Sequence, residues 1–187
     1  MDTELVVRAQ KGDPEAFTRL MDAIGDRLHA VADNVLRDSH LAEDATQQAL
    51  LTIWRELPRL RDPARFEAWS YRLLVNACHA EGRRAHRWIP NSALTDADEP
   101  VAVDDLNAVV HRDQLERGFR DLSIDHRVVV VMHHYLDMPL EQVAESLGLP
   151  VGTVYSRLHR AIRALRAALD ADDRASVSEI ARREGAR

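Results

Sequence analysis

Residues 140–169, LEQVAESLGLPVGTVYSRLHRAIRALRAAL, carry two amphipathic stripes separated by a break that only a sharp turn satisfies. Leu140, Val143, Ala144 and Leu147 recur at helical spacing. Gly148 can take the positive φ that ends a helix, and Pro150 presets φ where the next one begins. Beyond the break, Val154, Leu158, Ile162, Leu165 and Leu169 fall on one stripe, while Ser156, Arg160 and Arg163 point away from it and Arg157 and His159 flank that outer face. This spacing predicts a helix-turn-helix. Its second helix has four arginines (157, 160, 163 and 166) and no acid between residues 151 and 169, in a chain of net charge -6. A local positive field on an acidic protein is what a helix entering the DNA major groove requires. An ordinary solvated basic face is the competing reading, and the turn chemistry ahead of it argues against that.

The remaining sequence predicts helices almost throughout and no alternating strand. Apolar positions Leu5, Val6 and Ala9, then Phe17, Leu20, Met21, Ile24, Leu28 and Val31, form two helices broken at Gly12-Asp13-Pro14, where Asp13 can cap and Pro14 can open the next. A third helix spans about 41–57, with Glu43 and Asp44 in its first turn favouring the helix dipole, and Pro58 past its end. A fourth runs from about Pro63 to Arg84, with Phe66, Trp69, Leu73, Leu74 and Ala77 on one side; Gly82, about 1 kcal/mol poorer than Ala in a helix, is expected to shorten it. The stretch after Trp88 has two prolines and five acids (Asp96, Asp98, Glu99, Asp104 and Asp105), too polar to fold by itself, and reads as a linker. Helical pattern resumes near Leu106 and passes through Leu115, Phe119, Leu122 and Val128 to Leu136. The tail from Asp170 has no firm stripe and reads as disordered or as a loosely attached helix.

Composition bounds the class. With 187 residues and 45% apolar content, the chain suits one or two small domains with packed cores. No apolar run is long enough to span a membrane, and the acidic N-terminus lacks the pattern of a secretory signal, so no membrane insertion and a cytoplasmic location are expected. The lone Cys78 can form neither an internal disulfide nor a multi-thiolate zinc site, and no cofactor or metal is expected. An enzyme would have to start from Cys78-His79, from His133-His134 or from the acid-rich third helix. Cys78 has no activating base at a useful spacing, and adjacent histidines diverge on a helix.

Residues 59–88 hold seven arginines (59, 61, 65, 72, 83, 84 and 87) against three acids, interleaved with Phe66, Trp69, Tyr71 and Trp88. Arginines that follow phosphates, together with rings that stack on bases, suit unpaired nucleic acid. Phe66, Trp69 and Leu73, however, are spaced as a core stripe. Tyr71, Arg72 and Asn76 lie off it and are the better contact candidates.

Four blocks in order carry a family resemblance: ELVVRAQKGDPEAFTRLM, LAEDATQQALLTIWREL, FEAWSYRLLVNACHAEGRRAHR and LGLPVGTVYSRLHRAIRALR. Together they resemble an extracytoplasmic-function (ECF) sigma factor, the two-domain bacterial RNA polymerase initiation subunit. The resemblance implies an all-α fold of two small helical domains joined by a flexible linker: a region 2 domain over 1–88, an acidic linker over 89–112, a region 4 domain over 113–169 with the helix-turn-helix, and a tail over 170–187. It also implies a non-enzymatic role in which the chain binds core RNA polymerase (the β′ clamp and the β subunit) and directs it to promoter DNA, with an anti-sigma factor as a further partner. Polymerase contacts would come from Glu43, Asp44, Gln47, Gln48, Leu51 and Trp54. The melted minus-10 strand would be taken by Arg59, Arg61, Arg65, Tyr71, Arg72, Asn76, Arg83 and Arg84. The minus-35 duplex would be read by Tyr155, Ser156, Arg157, His159, Arg160 and Arg163. Gln48, Ala49 and Ser70 depart from the residues common in the family, a Glu, an aromatic and an aliphatic. A helix-turn-helix regulator acting without the polymerase is the alternative, and it leaves the arginine-rich fourth helix unexplained.

Overall fold

Asp residues at chain breaks start most of the helices in the first lobe of this computed structural model, which describes residues 2–88 and 114–184. Asp2 caps α1 (Thr3–Gln10) by accepting from the Glu4 N–H. Gly12, at φ 87, turns the chain. Asp13 then caps α2 (Pro14–Leu36), accepting from the N–H groups of Glu15 at 3.0 Å and Ala16 at 3.1 Å. Those backbone donors, the Ala16 N–H first, and the Arg8 guanidinium hold the Asp13 carboxyl below its ordinary range. The cap therefore stabilises the fold above the unfolded carboxylate value, and its contribution is lost as pH falls through the lowered folded one.

Asp38 caps α3 (Ser39–Glu56) through the Leu41 N–H. The helix starts earlier than its apolar pattern indicates, so Glu43 and Asp44 stand beyond the first turn, which holds no acid, and the dipole is met by Asp38 instead. After α3, two 3-10 turns, Leu57–Arg59 and Pro63–Arg65, lead into α4 (Phe66–Trp88). Gly82 does not shorten α4, contrary to expectation, and Ile124 Cδ1 packs into the space a Cβ there would take.

Apolar stripes of these helices close one core: Leu20, Leu28, Val31 and Val35 of α2, Ile53 of α3, and Phe66 and Leu74 of α4 are at most 2% exposed. Ala42, Ala45 and Ala49 are also buried, and such small side chains let α3 approach α2 and α4 closely. The sequence stripe thus held at Phe66, Leu74 and Ala77, while Trp69 and Leu73 remain half-buried.

The second lobe begins with α5 (residues 114–120), followed by α6 (Ile124–Val130), whose cap is Ser123. A π turn, Val131–Tyr135, continues α6. The helix-turn-helix follows as predicted: α7 (Leu140–Leu147), Gly148 in the left-handed region at φ 65, and α8 (Val151–Glu184). Gly148→Ala should therefore lower stability by about 1 kcal/mol, because a Cβ is disfavoured at that φ; denaturant unfolding of the two proteins checks this. α8 continues through residue 170 without a break, so the tail begins as helix. The expected acidic linker lies outside the described residues.

The two lobes pack against each other. α6 and α7 pack on α4, and α6 and the π turn pack on α2, so buried residues of both lobes form one continuous apolar cluster.

Candidate nucleic-acid and polymerase interfaces

On α8, Val154, Leu158 and Ala161 are buried against α6 and α7, which turns the opposite side outward. Tyr155, His159, Arg160 and Arg163 are all exposed there and form a cationic ridge with an aromatic edge. Tyr155 is 51% exposed, and its hydroxyl donates to Glu141 Oε1 of α7 at 3.3 Å. Ser156 is half-buried and donates to the Thr153 carbonyl at 2.9 Å. Arg157 needs correction: it turns away from the ridge and pairs with Asp125 at 2.9 Å, leaving its side chain 25% exposed.

The arginine-rich segment divides similarly. Arg59, Arg61, Arg65, Arg72, Asn76, Arg83 and Arg84 are exposed along the turns and one side of α4. Arg59 is bound to Glu56 at 2.9 Å, and Arg84 stands 3.7 Å from Glu81. Tyr71 is a second correction. It is 3% exposed, enclosed by Ile24, Leu28 and the Arg27–Glu67 pair, and burial pushes its phenol pKa up. The apolar side of α4 is wider than the stripe drawn from Phe66, Trp69 and Leu73, and Tyr71 falls inside it. As placed, its ring cannot stack on a base.

Gln10 escaped the sequence reading. Its side-chain amide donates to the carbonyls of Leu57 at 3.1 Å and Leu60 at 2.7 Å, pinning the turn that carries Arg59 and Arg61. No local pattern announces a contact between residues so far apart in the chain.

On α3, Glu43, Asp44, Gln47, Gln48, Leu51 and Trp54 are all exposed, opposite the buried alanines. Leu51 at 48% and Trp54 at 62% exposed make an uncovered apolar pair within a polar strip.

Candidates for other chemistry are absorbed by the fold. Cys78 is fully buried, and desolvation raises its pKa to about 12, which leaves the thiol inert. His133 Nδ1 lies 2.8 Å from the Met138 carbonyl. Among the described residues there is no cluster able to hold a metal ion and no helix long and apolar enough to cross a membrane.

The Sigma-70 region 2 family matches residues 20–89, and Sigma-70, region 4 matches residues 112–165. The chain is 33% identical over 165 residues to the ECF RNA polymerase sigma factor SigL of Mycobacterium tuberculosis, covering 84% of this chain and 93% of that one. The chain belongs to the ECF sigma factor family. This ECF sigma factor is also 29% identical over 185 residues to the RNA polymerase sigma-H factor of Pseudomonas aeruginosa, covering 90% and 93% of the two chains. Among solved structures it resembles CnrH in complex with the cytosolic domain of CnrY, with a TM-score of 0.65, 28% identity, and coverage of 91% of this chain and 98% of that one. The fold is shared with the sigma factor RpoE from Bartonella quintana, solved with the anti-sigma factor NepR, at a TM-score of 0.62, 23% identity, and coverage of 83% and 98%. The candidate strand-capturing and polymerase-facing residues fall within the region 2 match, and the ridge on α8 falls within region 4.

Proposed function

We propose that this ECF sigma factor docks on core RNA polymerase through α3, reads the minus-35 duplex with α8, and captures the melted minus-10 strand with the 57–65 turns and the exposed side of α4. The observation that carries the reading is the coexistence, on one chain, of a bare Leu51–Trp54 strip and two separate basic faces. A DNA-binding regulator working alone needs one basic face and no such strip.

Each part suits its task physically. A single helix fits the major groove, where Arg160 and Arg163 can meet base edges or phosphates and Tyr155, Ser156 and His159 supply further polar contacts. Strand capture must offset an unstacking cost of about a few kcal/mol per step. Arg61, Arg65 and Arg72 answer it with phosphate contacts and Asn76 with hydrogen bonds to base edges. No bond is made or broken by the chain itself, so it acts as a specificity subunit. An anti-sigma factor is a further expected partner, supported by the CnrH and RpoE complexes.

Mixing the purified chain with core RNA polymerase and genomic fragments should yield run-off transcripts from a subset of them. Tight binding to duplex DNA with no polymerase-dependent transcript would instead support a free-standing regulator. Arg160→Ala should weaken minus-35 recognition by about 1–3 kcal/mol. An unaltered minus-35 preference in competition binding would remove Arg160 from the reading set.

A further inference from the structure

Across residues 151–157, the start of α8, only Val151, Gly152 and Tyr155 are exposed. Arg157 is drawn away to Asp125, and the Ser156 hydroxyl donates to the Thr153 carbonyl. The exposed basic side chains begin a turn later, with His159, Arg160 and Arg163. The outward side of the helix is therefore graded: apolar and bare at its leading end, basic farther on. Val151 is 40% and Tyr155 51% exposed, one turn apart on the same side of the helix. Among the described residues, the other exposed large hydrophobics are the Leu51–Trp54 pair on α3 and the isolated Leu115 and Tyr135. The Tyr155 hydroxyl is tied to Glu141 of α7, which limits the swing of the ring.

Gly152 adds an independent observation. A Cβ there would meet no atom within 4 Å, and its φ is not in the left-handed region. Neither packing within the chain nor backbone conformation calls for glycine at this position. What glycine provides is room: beside Val151 the backbone can be approached from outside to a distance that a side chain would prevent.

We infer that Val151 reads a thymine of the minus-35 duplex by contact with its 5-methyl group, and that Gly152 gives the duplex room to close on this end of α8. The inference rests on the duplex-reading role proposed for α8. A recognition helix enters the major groove with its N-terminal residues at the base edges, which puts Val151, ahead of the arginines, against the groove floor. Hydrogen-bonding groups line that floor, and the thymine methyl is the apolar group it offers. Over any other base edge, an isopropyl side chain displaces water from donors and acceptors that it cannot satisfy. Over the methyl, it buries apolar surface on both partners. Val151 and Arg160 are nine residues apart in sequence, about 14 Å along the helix axis, so they meet different base pairs.

Deoxyuridine differs from thymidine by that methyl alone, so single replacements test the contact without altering base pairing. A random duplex library, enriched by binding to the full chain assembled with core RNA polymerase, supplies the preferred upstream element. Each thymine of that element, on either strand, is then replaced in turn and competed against the parent duplex. One position should weaken wild-type binding by about fourfold, the equivalent of about 0.8 kcal/mol for one buried carbon group. In Val151→Ala that penalty should vanish, and the preference for T over C at the same position should relax. Arg160→Ala should shift the preference at another base pair and keep the fourfold penalty, since contacts this far apart add. The inference is overturned if no replacement weakens wild-type binding, or if the penalty persists in Val151→Ala. The wild-type arm needs no variant, and Val151 is exposed at a helix start where alanine is well tolerated. Absence of a methyl effect beside a clear Arg160→Ala shift removes Val151 alone from the reading set. Absence of both removes the minus-35 role of α8, and this inference with it.

Discussion

Phe66→Ala should destabilise the protein by about 3–5 kcal/mol, the cost of emptying a fully buried aromatic site. The ring is 0% exposed and sits 6.2 Å from the Trp69 ring, tilted by 48°. Phe66 also opens α4, directly after the turn that carries Arg59, Arg61 and Arg65, and its carbonyl accepts from the Ser70 hydroxyl at 2.8 Å. Removing the ring therefore loosens both the core and the placement of the arginines. A loss of that size is a large fraction of the stability of a typical domain. Denaturant unfolding followed by circular dichroism measures it, and a change below about 1 kcal/mol would mean that the pocket collapses around the smaller side chain.

Trp54→Ala should leave stability almost unchanged and cost the polymerase complex at least about 2 kcal/mol, or roughly thirtyfold in affinity, the behaviour of an aromatic hot spot. The contrast with Phe66 comes from burial. Trp54 is 62% exposed, so truncation removes little from the core, yet with Leu51 it is the apolar centre of an otherwise polar strip. Titration of labelled protein with core RNA polymerase, with a thermal melt alongside, separates the two effects. Unchanged affinity would move the docking surface away from α3.

Much of this arrangement was legible because local rules and tertiary packing agree. Asp13-Pro14, Gly148 and the stripe at Val154 and Leu158 each have one good local solution, and the chain adopts it. Errors arose where a residue answers to a distant partner. Gly82 scores as a flaw in α4 until Ile124 is seen to fill the space beside it. Arg157 has the charge for DNA and is claimed by Asp125, while Tyr71 belongs to a wider apolar side than the stripe suggested. The Gln10 amide reaches carbonyls more than forty residues ahead, and nothing in its neighbourhood signals that. The bare Leu51–Trp54 pair was unreadable from periodicity alone, since exposed leucine and tryptophan look like core until the opposite side is seen to be full of alanine.

The helix that begins at Val151 runs unbroken to Glu184, 34 residues, or about 50 Å of straight rod. Its near end carries Tyr155, His159 and Arg160. A rod of this kind is a lever: under the minus-35 reading proposed above, torque applied at its distal half reaches the end that meets DNA.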